Sequence, residues 1–179
     1  MTPERAAYHR LMLLSGLREE FDRELDLALE TEDPITDPVL DLAFCMSDPE
    51  QTISVLYNYT LKFRIDEQQV YEMILTELRR QYTEKLLAPA QLARILFSIA
   101  QNGGSSPEEP WDRLRCPSYL YELFEEGLLS GEVFQTAFEA FLLHGQEIDV
   151  WALEKERQPK KRKLLPDFFR KQKRKEKLP

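Results

Sequence analysis

The chain has 179 residues, 42% of them hydrophobic, six glycines and a net charge of −8. That is one ordinary domain with apolar material for a sizeable core, so folding needs neither disulfides nor metal. The scarcity of glycine argues against an all-β fold with many tight turns. No run of about 18 apolar residues exists, which excludes a membrane-spanning helix. The short apolar stretch from Leu11 to Leu14 is too small for a secretory signal.

Thr2-Pro3-Glu4 reads as a helix cap, a first-turn proline and an acid at the positive dipole end. Ala7, Leu11, Leu14, Leu17, Phe21, Leu25 and Ala28 then recur in steps of three and four. The spacing predicts a long helix to about Glu30, with Gly16 as a kink or break; a coiled-coil seam is the alternative. Asp37-Pro38 opens a short helix to Ser47, and Asp48-Pro49-Glu50-Gln51 repeats the cap signal.

Residues 53–65 alternate apolar and polar like a strand, from Ile53 to Ile65. They also fit a helix with Ile53, Leu56, Tyr57, Thr60 and Leu61 on one face. The cap at Asp48 and the lack of a second strand to pair with decide for helix.

Asp66 opens the next helix, striped by Val70, Ile74, Leu78 and Tyr82 and widened by Tyr71 and Leu75. Pro89 opens another, with Leu92, Ile95, Leu96 and Ile99 facing inward and a stop near Asn102. Residues 103–110 form a candidate internal linker, with Trp111 anchoring its far side. Pro117 starts a helix that buries Leu120, Leu123, Phe124 and Leu128 and ends at Gly127. Ser130 caps the last long helix, which buries Phe134, Ala137, Phe138, Phe141 and Leu142 and stops at His144-Gly145. Ile148 to about Arg157 adds one short helix.

The fold class is therefore all-α: a compact bundle of seven or eight helices over residues 1–156, followed by a basic, flexible C-terminal tail at 157–179. Helix starts near Asp37, Asp48, Asp66 and Ala88 are unevenly spaced, so no repeat family is indicated.

Catalytic signatures are missing. His9 and His144 offer no zinc spacing and no Glu-x-x-His pair. Gly103-Gly104-Ser105-Ser106 lacks the lysine of a phosphate loop. Glu19-Glu20, Glu108-Glu109 and Glu125-Glu126 point about 100° apart on a helix, so they read as solvated faces rather than acid/base pairs. His9 is expected on an exposed part of the first helix, and His144 in a last turn where its charge suits the dipole. Cys45 and Cys116 read as reduced thiols. No cofactor or metal is indicated.

Charge is divided unevenly. From Lys155 to Pro179 there are 12 Lys or Arg and three acids, a net of +9; the first 154 residues carry −17. Lys160, Lys161, Arg162 and Lys163 form one basic cluster, and Arg170, Lys171, Lys173, Arg174 and Lys175 a second. Between them lie Leu164, Leu165, Phe168 and Phe169. Dense positive charge attracts nucleic acid or another polyanion by counterion release. The apolar patch suits docking in a partner groove or stacking on unpaired bases.

These features predict a non-enzymatic adaptor: the tail binds nucleic acid or an acidic protein surface, and the acidic body contacts a protein partner. The alternative is a protein-interaction module that docks through Leu164, Leu165, Phe168 and Phe169. An enzyme of unidentified class ranks third. The expected location is the cytoplasm, or the nucleus in a eukaryotic host, because residues 159–163 resemble a nuclear import signal.

Overall fold

The computed structural model describes residues 1–103, 110–149 and 152–153. Among them are eight α-helices, one short 3-10 helix and no strand. The helices are α1 (Pro3–Leu14), α2 (Glu19–Thr31), α3 (Asp37–Cys45), α4 (Pro49–Thr60), α5 (Glu67–Thr83), α6 (Pro89–Asn102), α7 (Arg115–Glu125) and α8 (Gly131–His144). The 3-10 turn is Trp111–Leu114. Most of the candidate linker, most of the expected helix beyond Ile148 and the whole tail lie outside the described residues.

Several boundaries follow from local chemistry. Thr2, Asp48, Asp66 and Ser130 each accept a backbone N–H of the first turn they precede, which satisfies a donor that the helix cannot. Gly145 ends α8 in the left-handed conformation, at φ 66°. Gly16 does the same after α1, at φ 81°. There the Leu17 N–H closes on Met12 O at 2.9 Å, a six-residue reverse bond that stops the helix. The apolar periodicity runs through this break, so the predicted long helix is two helices.

Two other expectations need correction. α7 begins at Arg115, not at Pro117; the proline sits within the first turn, where its missing N–H is harmless. Residues 49–60 are helical as expected, but α4 buries Thr52, Leu56 and Thr60, while Tyr57 and Leu61 stay exposed. Thr52 can turn inward because its hydroxyl donates to Cys45 O and Asp48 O, at 2.9 and 2.8 Å. A buried hydroxyl with partners costs little.

The helices share two apolar clusters. The larger takes Leu11 and Met12 of α1 together with the inner faces of α5, α6, α7 and α8. It is continuous across residues 104–109, since Leu92, Leu96 and Ile99 pack with Leu114, Leu120 and Leu123. The smaller joins Ala6, Phe21, Leu25, Val39, Leu42 and Leu56, binding α2, α3 and α4 to α1. Polar ties reinforce both. Arg79 Nε donates to Leu142 O at 2.6 Å, and Tyr82 OH donates to Glu139, fixing α5 to α8. Arg18 pairs with Asp22 at 2.8 Å and reaches Met46 O, fixing α2 to the end of α3.

Trp111 lies just beyond the candidate linker. It is buried, and its indole N–H donates to Glu67 Oε2 at 2.7 Å. A methyl group on Gly103 would lie 2.6 Å from Cδ2 and Cε3 of this ring. The backbone there is ordinary, so close approach, not conformational freedom, demands glycine. Gly103→Ala is expected to lower unfolding free energy by about 1–3 kcal/mol through overpacking. Urea titration checks this; a loss under 0.5 kcal/mol would mean that the indole moves aside freely.

Candidate functional site

The tail residues expected to carry function lie outside the described residues: Lys160, Lys161, Arg162, Lys163, Arg170, Lys171, Lys173, Arg174, Lys175, Leu164, Leu165, Phe168 and Phe169. Within the helical body two features stand out. One is a polar network between α1 and α2; the other is the outward face of α3.

The network starts from spacing. Arg5, Tyr8 and His9 lie three and four residues apart on α1, and Glu20 and Glu24 four apart on α2, so each set shares a face. The turn at Gly16 folds the two faces together. Arg5 Nε donates to Glu24 Oε2 at 2.8 Å and its Nη2 to Glu20 Oε1 at 2.5 Å. Tyr8 OH donates to the other Glu20 oxygen. His9 Nε2 lies 2.8 Å from Glu24 Oε2.

His9 is therefore not on an exposed part of α1: it is fully buried, edge-on to the rings of Tyr8 and Phe21. The solvated-face reading of Glu19-Glu20 fails for Glu20 as well, since only Glu19 is exposed. The pairing of Arg5 and His9 with Glu20 and Glu24 across a short turn was the available signal.

Burial pushes the His9 imidazole down from 6.5 to about 3, with repulsion from Arg5 adding to the shift. The ring is neutral at pH 7. A carboxylate can only accept, so Nε2 carries the proton. Nδ1 is then a bare acceptor, and it has no partner among the described residues. For Glu20, burial works to raise the pKa, but hydrogen bonds from Tyr8 and Arg5 outweigh it and hold the carboxyl below its usual range. Burial and Glu20 together push the Tyr8 phenol up.

A cavity of about 300 Å³ adjoins the network, lined in part by His9, Met12, Glu20, Phe21, Glu77 and Gln81. A base with pKa about 3 is poorly matched to proton transfer at neutral pH. The arrangement clamps α1 to α2.

A second cavity, about 270 Å³, touches Tyr71, Leu75, Cys116, Phe141 and Ile148. Burial, then Asp112 and Glu147, push the Cys116 thiol up, away from the reactive thiolate. Cys45 and Cys116 are both free, as expected. Among the described residues, no group of three or more His, Cys, Asp or Glu could hold a metal. None of their helices is long and apolar enough to cross a membrane.

The α3 face is a surface feature. Val39, Leu42 and Cys45 turn inward, which leaves Asp37, Leu40, Asp41 and Phe44 outward. Phe44 is 88% exposed, the highest value among the exposed large hydrophobics. Exposed acids continue on both sides, at Asp33 before the helix and at Asp48 and Glu50 after it. From Glu24 to Leu61 the chain has nine acids and no Lys, Arg or His.

The chain matches no protein-family model, and comparison with curated proteins and with solved structures finds no match.

Proposed function

We propose that the chain is a non-enzymatic helical adaptor, with an acidic body that contacts a protein partner and a basic tail that binds nucleic acid. The observation that carries this reading is the division of charge: +9 in the last 25 residues against −17 in the rest. A chain that only needed solubility would intersperse the two signs. The stretch from Glu24 to Leu61, without any cation, adds a region of body surface that repels polyanions and attracts basic partners.

The test is fluorescence anisotropy with a labelled single-stranded oligonucleotide. The full chain is compared with one in which Lys160, Lys161, Arg162, Lys163, Arg170, Lys171, Lys173, Arg174 and Lys175 are all Gln. Each phosphate neutralised on a single strand contributes a slope of about −0.7 in log affinity against log salt. With about four phosphates engaged, affinity should fall roughly fiftyfold between 50 and 200 mM salt. The substituted chain should lose both the affinity and the slope. Equal binding by the two chains, or binding insensitive to salt, would sink the reading.

A further inference from the structure

We propose that the outward face of α3 is a docking surface for this chain's own tail, residues 157–179, and that this face and a polyanion compete for the tail. The contact rests on the tail's charge and apolar patch and not on nucleic-acid binding itself.

The argument begins with an unexplained side chain. Phe44 places a phenyl ring in water at 88% exposure, one turn from Leu40 on the same face. Neither residue is needed for the core, which α3 already reaches through Val39, Leu42 and Cys45. The charges along this segment are of one sign, Asp33 and Asp37 on one side, Asp41 between, Asp48 and Glu50 on the other, and Arg18, which reaches Met46 O, is paired with Asp22. An occupant must therefore be apolar in the middle and basic at both ends.

The tail has this order. Lys160, Lys161, Arg162 and Lys163 come first, then Leu164, Leu165, Phe168 and Phe169, then Arg170, Lys171, Lys173, Arg174 and Lys175. The lengths agree as well. Asp37 to Cys45, the length of α3, is about 12 Å at a helical rise. Lys163 to Arg170 spans about 10 Å if helical and about 25 Å if extended, which brackets that distance.

Reach is sufficient. Phe168 lies 15 residues beyond Leu153, the last described residue. Extended, they span up to about 50 Å, whereas a body of this size has a radius of gyration of only about 15 Å. Tethering also raises the tail's effective concentration at the face to roughly the millimolar range, so a weak contact suffices.

The experiment is zero-length carbodiimide cross-linking of the dilute full chain at low salt, followed by peptide mass spectrometry. Equal parts of isotopically light and heavy chain distinguish links within one copy from links between copies. The expected result is links within one copy from Lys160, Lys161, Lys163, Lys171, Lys173 or Lys175 to Asp37, Asp41 or Asp48. Their yield should fall at least threefold in Phe44→Ser, a substitution at a solvent-facing position that leaves every acid in place. Excess single-stranded oligonucleotide should suppress the same links.

The proposal is overturned if tail lysines link equally to Glu122 and Glu132 on α7 and α8, if links join different copies, or if Phe44→Ser leaves the yield unchanged. Links to α3 that persist under saturating bound oligonucleotide also overturn it, because the competition would be absent. Failure of the tail to bind oligonucleotide at all, with the α3 links intact, would count against the proposed function and leave the docking contact standing.

Discussion

Phe138→Ala is expected to lower unfolding free energy by about 3–5 kcal/mol. Phe138 is fully buried at the centre of α8. It meets Tyr82 of α5 edge-on, with ring centroids 6.4 Å apart, and lies beside Phe134 at 5.7 Å. Phe134 in turn stacks on Phe124 of α7 at 4.9 Å. Truncation removes the ring that links α8 to α5 and leaves a cavity that neighbouring helices cannot fill without breaking Tyr82–Glu139 and Arg79–Leu142. Domains are stable by only about 5–15 kcal/mol in total, so about a fifth or more of the margin is at stake. For a chain of this length the melting temperature should fall by roughly 6–20 °C. Leu61→Ala, at a solvent-facing position, should stay within about 0.5 kcal/mol. Paired urea and thermal melts check both. Similar small losses in the two variants would mean that α8 is not integral to the larger core.

The contrast between those two residues shows what was readable from the chain. Phe138 belongs to a stripe in α8 that repeats every three or four residues, and such stripes identify buried positions when each helix has one partner side. Leu61 sits in a stretch whose alternation fitted two patterns. Of the face expected there, Leu56 and Thr60 are buried, but Thr52 turns inward as well and Tyr57 and Leu61 stay exposed. A threonine's willingness to be buried depends on whether a carbonyl lies in reach, and that is decided by how α3 approaches α4. Helix ends were more legible than faces. Asp48, Asp66, Ser130 and Gly145 act on atoms within a few residues of themselves, so their roles are written locally. Pro117 misled because proline suits any first-turn position, and the preceding 3-10 turn carries no strong local mark.

The candidate sites divide along the same line. Uneven charge survives any fold, so the acidic body and basic tail could be read directly. What the body does with its charge could not, since Asp37, Asp41 and Phe44 become one outward face only after Val39 and Leu42 find their core. The α1–α2 network was hidden for a related reason. Gly16 was visible as a possible break, but the break becomes a hairpin that stacks Arg5, Tyr8 and His9 on Glu20 and Glu24. Histidine and glutamate are common on exposed helix faces, and nothing within α1 or α2 alone argues otherwise.

Burying His9 has a measurable consequence for stability at mildly acid pH. The ring is neutral in the folded chain, with a pKa of about 3, and takes up a proton near pH 6.5 when unfolded. Below pH 6.5 the unfolded state binds more protons, so stability falls as pH falls. Its contribution is fully present above pH 6.5 and is lost progressively down to about pH 3. Each pH unit inside that window corresponds to about 1.4 kcal/mol. Between pH 7 and pH 5 the loss assignable to this ring is about 2 kcal/mol. That interval lies above the range in which Glu20, held low by Tyr8 and Arg5, takes up its proton. The two effects therefore separate. A His9→Gln chain keeps an N–H for Glu24 but cannot titrate. It is expected to be less stable at pH 7 and to show a pH dependence between 7 and 5 that is flatter by about 2 kcal/mol. Urea unfolding of both chains at pH 7, 6 and 5 reads the difference, with His144 common to the two. Parallel curves would mean that the folded ring accepts a proton from water, and the buried, clamped geometry between α1 and α2 would have to open to allow it.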